Sequence, residues 1–274
     1  MDEHKFLIRL VRCHLLVVIL SQFVPLASVH GKHPYEHFTA FCSIGERTPG
    51  TPGHIKARDF IIERLKDPEV DTFRVLGTDY FNIYKRFPGS GSRIAFAAHW
   101  DSDVGCPGAN DGGSGVAILL SLADTLKKMR PGCGVDLLFF DGEDVDAAEL
   151  LGSKHFAATC IVNYDYVIVL DMVGDKDLQI FQEGNSKKFF PSFVDSIWDI
   201  GQSIAPNVFV PTVKYYIIDD HLSLIKYGIR SIDVIDFDYP YWDTADDTVE
   251  KCSRQSLDTM YRFVLHLIYE RSVY

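Results

Sequence analysis

Residues 93–101 read RIAFAAHWD, residues 135–144 read VDLLFFDGED and residues 166–171 read YVIVLD. In each segment a nearly continuous apolar run is followed directly by acidic or imidazole side chains. Apolar runs of this kind, rather than alternating ones, are typical of strands that helices cover on both faces. The three segments therefore predict neighbouring strands of a largely parallel sheet.

Helical patterns separate and flank these strands. Helices are predicted over residues 55–65, 116–129, 147–159, 189–204 and 254–270. One further strand is predicted over residues 231–235, and no internal repeat or low-complexity linker divides the sequence. The alternation predicts an α/β fold. We expect a single domain over residues 31–274, with three α/β/α layers around a mixed, mostly parallel central sheet.

The first 29 residues differ from the rest of the chain. Basic side chains in residues 5–12 precede a largely apolar run over residues 15–27, and the small residues Ala27 and Ser28 end it. Such a run is short for a membrane span and typical of a signal peptide. We expect residues 1–29 to be a signal peptide or a membrane anchor, with an amphipathic helix of the fold as the alternative. The protein is then secreted or periplasmic, and contacts a membrane only through such an anchor.

The composition restricts the function classes. The chain has 27 Lys and Arg against 38 Asp and Glu, a net charge of −11, whereas a nucleic-acid partner would require a basic face. Its 47% hydrophobic and 24% charged residues exclude a disordered chain. Six cysteines in 274 residues are too few for a disulfide scaffold. An acidic enzyme or binding domain remains.

Polar side chains gather where the predicted strands end. His99, the pair Glu143 and Asp144, and Asp171 each follow one of the three strands. Because ligands of open α/β sheets bind at the carboxyl ends of the strands, we expect these side chains to share a site. Asp111 joins them from the glycine-rich segment GANDGGSG, in which glycines allow unusual backbone dihedrals.

Such a set of side chains is suited to a divalent metal ion. Carboxylates that share a pocket repel one another, and a cation allows them to lie close together. Zinc binds imidazole nitrogen and carboxylate oxygen, and a catalytic zinc keeps one position open. One of Glu143 and Asp144 can bind the metal ion while the other accepts and returns a proton.

Each motif alone also has a purely structural interpretation. GANDGGSG is typical of a turn before a helix, and Glu143 and Asp144 of a solvated loop. Asp246 and Asp247 could be surface acids or an acidic cluster at the N-terminus of a helix. The ordered combination favours a site. The sequence has no Gly-x-Ser-x-Gly elbow, no His-Glu-x-x-His pair and no phosphate-binding Gly-Lys-Ser/Thr loop. These absences argue against a serine hydrolase and a nucleotide site.

The ordered motifs resemble the zinc aminopeptidase and glutaminyl cyclase superfamily. They are RTPGTPG (47–53), AHWDS (98–102), GANDGGSG (108–115), FFDGED (139–144), LDMVG (170–174), DDH (219–221) and WDT (242–244). The resemblance covers the chain from Gly45 to its end. FFDGED, DDHL and YPYW are most similar to bacterial glutaminyl cyclases.

The resemblance implies a set of metal ligands. Asp111, Asp144 and the residue at position 243 would bind zinc. His99 and Asp171 would bind a second zinc in an aminopeptidase, whereas His99 would be a nearby non-ligand in a cyclase with one zinc. The family has histidine where this sequence has Asp243, and an aspartate is shorter and negatively charged. A third carboxylate weakens the ion as a Lewis acid and shifts preference toward manganese or magnesium.

The resemblance also implies catalytic and substrate-binding residues. Glu143 would carry protons, Asp171 and Asp220 would assist it, and Trp242 would form a wall of the substrate pocket. The implied reaction is cyclisation of the N-terminal glutamine of a peptide or protein to pyroglutamate, with release of ammonia. The alternatives are a zinc aminopeptidase and a non-catalytic binding domain whose metal site is degenerate. We expect a monomer.

Overall fold

The computed structural model describes residues 33–129, 131–145 and 149–271. Its strands are β1 (Glu69–Val75), β2 (Thr78–Phe87), β3 (Arg93–His99), β4 (Gly134–Phe140), β5 (Tyr166–Asp171), β6 (Ile180–Glu183), β7 (Phe209–Tyr215) and β8 (Ser231–Ile235). Its α-helices are α1 (Pro34–Cys42), α2 (Pro52–Leu65), α3 (Gly113–Leu126), α4 (Leu151–Thr159), α5 (Gly184–Phe189), α6 (Pro191–Ile204), α7 (Asp220–Lys226) and α8 (Arg254–Arg271).

The central sheet has six strands in the order β1-β2-β4-β3-β5-β8. β3 pairs in parallel with β4 and β5, and β5 pairs in parallel with β8. β2 is antiparallel to both β1 and β4, so the antiparallel part lies at one edge. The prediction of a mixed, mostly parallel sheet is confirmed. β6 and β7 form a separate two-stranded parallel sheet.

Helices cover both faces of the central sheet. On β3, Ile94, Phe96 and Ala98 pack into a core that also contains side chains of α1, α2, α3, α6 and α8. Ala95 and Ala97, which alternate with them, pack into a second core with side chains of α4 and α7. Residues of one strand alternate between its faces, so both faces of β3 are buried. The three-layer prediction is confirmed.

The β1–β2 hairpin was not predicted from the sequence. Its turn places Leu76 and Gly77 at positive φ, 47° and 91°, and β1 has no buried residue that would give an apolar face. The predicted helix over residues 189–204 is α6, which begins at Pro191 because proline lacks an N–H, whereas Phe189 ends the preceding helix α5. The predicted helix at 147–159 begins at Leu151.

The predicted signal peptide or anchor at residues 1–29 lies outside the described residues. Within the described part of the chain, no helix is both long enough and apolar enough to cross a membrane.

Candidate active site

The ends of β3, β4 and β5 bring the predicted site residues together. His99 ends β3, Asp171 ends β5, and Glu143 follows β4 by three residues. In the parallel register His99 pairs with Phe140, so the polar residues after these strands meet at one edge of the sheet. This is the edge at which open α/β sheets bind ligands.

His99 lies at the centre of this edge and is 1% exposed. Its Nε2 lies 2.9 Å from Oδ1 of Asp111 and 3.2 Å from Oδ1 of Asp171, and its Nδ1 lies 3.6 Å from Oδ1 of Asp101. Burial alone would lower the pKa of His99, but the charge of Asp144 and the hydrogen-bonded carboxylates around the ring raise this pKa well above its ordinary value. The surrounding carboxylates therefore favour the protonated form of the ring.

Three carboxylates near His99, those of Asp111, Asp144 and Asp243, lie close to one another, and we call them the metal triad. One oxygen each of Asp111, Asp144 and Asp243 lies within 4.8 Å of the other two. Asp243 has a positive φ of 54°, a left-handed conformation that aspartate tolerates better than most residues. His99 forms two further groups of this spacing, one with Asp111 and Asp171 and one with Glu143 and Asp144.

The metal triad fits a divalent cation. Burial and the charge of Asp111 raise the pKa of Asp144 well above its ordinary value, and the same two causes raise the pKa of Asp243 to about 6. Oδ2 of Asp144 is buried and has no hydrogen-bond partner among the described residues. Repelling carboxylates with an unsatisfied buried oxygen are what a bound divalent ion would stabilise.

Glu143 lies beside the metal triad with a strongly perturbed carboxyl group. Burial raises its pKa well above the ordinary value, and the charges of Asp144, Asp219 and Asp220 act in the same direction. Asp220 is 1% exposed, and burial together with the charge of Asp219 raises its pKa too. A carboxyl group with a raised pKa can give and accept a proton near neutral pH.

Asp101 fixes the backbone that carries Glu143 and Asp144. Its Oδ1 accepts a hydrogen bond from the Glu143 N–H at 3.2 Å, and its Oδ2 accepts one from the Asp144 N–H at 3.0 Å. Asp101 is fully buried, and although burial acts to raise its pKa, the contacts with His99 and these two N–H groups lower it. Asp101 therefore remains a carboxylate that positions both residues.

Comparison with known proteins agrees with this geometry. The protein-family model for Peptidase family M28 matches residues 82–268. The chain belongs to peptidase family M28. It is 24% identical over 308 residues to a glutaminyl-peptide cyclotransferase of Bos taurus, a match that covers 82% of this chain and 78% of the bovine one.

Solved structures similar to this chain include a cyclase and an exopeptidase. A glutaminyl cyclase of Porphyromonas gingivalis superposes with a TM-score of 0.82 at 27% identity, over 87% of this chain and 97% of that chain. A Zn-dependent exopeptidase of Parabacteroides distasonis superposes with a TM-score of 0.80 at 29% identity, over 86% of this chain and 97% of that chain. Cyclases and zinc-dependent exopeptidases are thus both relatives of this M28 chain.

Asp247 holds the loop that presents Asp111 in this M28 chain. Its carboxylate accepts hydrogen bonds from the N–H groups of Asn110 at 2.9 Å and Asp111 at 3.0 Å, and from the Tyr239 hydroxyl at 2.5 Å. The interpretation of Asp247 as a surface acid was wrong, because its side chain is fully buried. Its neighbour Asp246 is exposed, as that interpretation expected.

Arg47, from the first motif of the M28-like sequence, was given no role by sequence analysis. Its buried guanidinium donates hydrogen bonds to the carbonyl oxygens of Trp100 at 2.7 Å, Pro107 at 2.6 Å and Gly108 at 2.8 Å. Weaker hydrogen bonds reach the carbonyls of Asp101 and Asp111 at 3.3 Å. Arg47 therefore clamps the whole loop between β3 and α3.

Arg47→Ala is expected to destabilise the protein by at least about 3 kcal/mol, because several buried carbonyl groups lose their donor at once. Arg74→Ala is the control. Arg74 is 68% exposed in an ion pair with Asp79, so its loss should cost at most about 1 kcal/mol. Urea unfolding of both variants measures the loss in free energy of unfolding. Equal losses in the two variants would contradict the role of Arg47 in holding the loop between β3 and α3.

The metal-free protein is expected to be more stable near about pH 5 than near about pH 7.5. Burial raises the pKa of Asp141 to about 7 and that of Asp247 to about 6. The pKa of Asp243 is raised as well. Each folded-state pKa exceeds the unfolded one, so the stability that the protonated carboxyls contribute at low pH is lost as pH rises through about 6 to 7. Thermal unfolding in a chelator across this range measures the trend, and a rise in stability with pH would contradict it.

The remaining predicted residues have clear positions. Trp242 is 41% exposed and lies on the segment that carries Asp243, with its ring 5.4 Å from the ring of Phe237. Asp220 begins α7 beside Glu143, as its effect on the Glu143 pKa indicates. The predicted site residues that converge are His99, Asp111, Glu143, Asp144, Asp171, Asp220 and Asp243. Their individual roles stay predictions.

Proposed function

We propose that this M28 chain is a metal-dependent glutaminyl-peptide cyclotransferase, which converts the N-terminal glutamine of a peptide or protein to pyroglutamate. One observation favours a cyclase over an aminopeptidase of the same family. Nε2 of His99 lies 2.9 Å from Asp111 and 3.2 Å from Asp171, where a second metal ion of an aminopeptidase would bind, and these carboxylates favour its protonated form. An imidazolium supplies positive charge there, so one metal ion is enough to balance the site.

Asp111, Asp144 and Asp243 would hold that ion, and we expect zinc because relatives of this chain are zinc-dependent. A bound divalent ion would polarise the γ-amide carbonyl of the substrate. Three ionised carboxylates carry more negative charge than one divalent ion can neutralise. The surplus is partly balanced by His99.

Glu143 would move the proton that the reaction requires. The α-amino nitrogen forms a bond to the γ-amide carbon, and the bond from that carbon to the amide nitrogen breaks. Glu143 takes the proton that the attacking amine loses and gives it to the departing nitrogen, which leaves as ammonia. Burial raises the pKa of Glu143, and the charge of Asp220 supports this role by acting in the same direction. The attack is intramolecular, so orientation of the substrate supplies much of the acceleration.

A zinc aminopeptidase is the second candidate. One donor atom each of His99, Asp111 and Asp171 lies within 4.8 Å of the others, which would suit a second metal ion bound by neutral His99. Glu143 would then activate a water molecule rather than shuttle a proton between nitrogens. The similarity to an exopeptidase supports this candidate.

The experiment gives the purified protein glutaminyl and leucyl amides, with and without a chelator. We expect ammonia from a glutaminyl substrate without cleavage of the leucyl amide, and loss of that activity in the chelator. Cleavage of the leucyl amide alone would replace the cyclase by the aminopeptidase. No activity and no bound metal would favour a non-catalytic binding domain.

Asp243→His is expected to tighten zinc binding about tenfold, because imidazole replaces a third carboxylate in the ligand set. Asp246→His is the matched control, since it adds an exposed imidazole three residues away, outside the metal triad. Competition with a chromophoric chelator measures both affinities. If Asp243→His leaves zinc affinity unchanged, Asp243 is not a ligand.

A further inference from the structure

A second group of metal-ligating side chains lies apart from the metal triad. It consists of Asp219, His221 and Asp233, which we call the inner cluster. Asp219 caps α7, His221 lies in the first turn of that helix, and Asp233 lies in the middle of β8. One donor atom of each residue lies within 4.8 Å of the others, and their exposed fractions are 3%, 0% and 0%.

Glu183 fixes the orientation of the His221 ring. Nε2 of His221 lies 3.1 Å from Oε2 of Glu183. The Glu183 carboxylate also accepts hydrogen bonds from the N–H groups of Asn185 at 2.8 Å, Ser186 at 2.6 Å and Ile217 at 3.1 Å. Burial acts to raise the pKa of Glu183, but His221 and backbone N–H groups lower it to about 2. Because Glu183 is a carboxylate, it favours the tautomer of His221 whose ring N–H is on Nε2.

The other ring nitrogen then presents a lone pair to the inner cluster. Nδ1 of His221 lies 3.8 Å from Oδ2 of Asp233, too far for a hydrogen bond. Among the described residues, no hydrogen bond reaches this Nδ1, either oxygen of Asp233, or Oδ2 of Asp219. Buried acceptors without donors are rare and costly, and here several of them face one another. A cation among them would satisfy all of them together.

We propose that Asp219, His221 and Asp233 bind a divalent transition-metal ion of the zinc type, separate from the ion of the metal triad. One imidazole nitrogen and two carboxylate oxygens form a set that zinc binds. Ligand bonds of about 2.0–2.2 Å bring donors within about 4.4 Å of one another, close to the observed spacing. A metal-binding histidine typically turns its other ring nitrogen toward a carboxylate, and Nε2 of His221 lies 3.1 Å from Glu183.

The ion would be structural rather than catalytic. All three ligands are buried, so the protein would bind the ion as it folds and release it on unfolding. Bound there, it would join α7 to β8, and through Glu183 it would also hold the end of β6. The proposal does not depend on which reaction the metal triad supports.

Metal analysis of the wild type and three variants tests the proposal. Each folded protein is loaded with zinc and then dialysed against metal-free buffer to remove unbound zinc. Asp233→Asn should contain one zinc equivalent less than the wild type, whereas Asp111→Asn should lose the ion of the metal triad and keep this one. Asp136→Asn is the control, because it removes a buried carboxylate bound to Arg93 and Tyr164 far along the sheet. Equal zinc content in Asp233→Asn and wild type would overturn the proposal.

A crystallographic measurement on the wild-type chain covers the case in which Asp233→Asn fails to fold. An anomalous difference map at the zinc absorption edge should show a peak among Asp219, His221 and Asp233, apart from any peak at the metal triad. A map with peaks at the metal triad alone, or with none, would show that protons rather than a metal ion hold the inner cluster together.

Discussion

Glu143→Gln is expected to slow pyroglutamate formation by about a thousandfold while zinc content stays at the wild-type level. Glutamine matches the shape of glutamate but cannot accept the proton of the attacking amine. The metal triad does not include Glu143, so the variant keeps all three proposed ligands. Ammonia release at saturating substrate, together with metal analysis of the same sample, measures both quantities.

Glu149→Gln is the matched control for this variant. Glu149 is exposed and lies six residues further along the same segment, paired with Lys154. The same chemical change there should leave the rate unchanged. If Glu143→Gln keeps its rate within about tenfold of the wild type, Glu143 is not the proton carrier.

Asp111→Asn is expected to weaken zinc binding to the metal triad by at least about a hundredfold and to lower activity in the same proportion. Asp111 belongs to the metal triad and also contacts His99. Its negative charge would therefore attract the metal ion as well as the His99 ring. An amide oxygen is a neutral, weaker ligand for the ion. Excess zinc should restore part of the activity, whereas it should not restore Glu143→Gln.

Asp103→Asn provides the comparison for Asp111→Asn. Asp103 lies in the same loop, and its carboxylate accepts a hydrogen bond from the Val104 N–H outside the metal triad. Zinc affinity in this variant should equal that of the wild type. Equal zinc affinity in Asp111→Asn and Asp103→Asn would remove Asp111 from the ligand set.

The parallel part of the fold could be predicted because its strands carry their own signal. Strands β3, β4 and β5 are buried on both faces, so their sequences are continuous apolar runs that end in polar residues. The β1–β2 hairpin could not be predicted in this way. No residue of β1 is buried, and so its sequence has no apolar face to detect.

The residues of the candidate site were easier to predict than the side chains that position them. His99, Glu143 and Asp171 follow strand ends, where the fold class itself predicts a site. Asp247 and Asp246 are adjacent acids, and only the packed loop distinguishes the buried one from the exposed one. The role of Arg47 depends on carbonyl groups more than fifty residues away, and no local pattern encodes such contacts.

The acidity of the sequence also has a more specific explanation than a solvated surface. Two clusters of acids contribute to it, the metal triad with its neighbours and the buried inner cluster. Both place carboxylates where burial raises their pKa, as Asp144 and Asp233 illustrate. Asp243 adds a third carboxylate to the first of these clusters.

The proposed reaction is cyclisation of N-terminal glutamine at a site in which His99, rather than a second metal ion, faces Asp111 and Asp171. Mass spectrometry of one glutaminyl peptide incubated with the zinc-loaded protein tests it most directly. We predict a product of full length that has lost one ammonia, formed only while the chelatable metal is present. A peptide shortened by its N-terminal glutamine, with no ammonia-loss product, would contradict the claim.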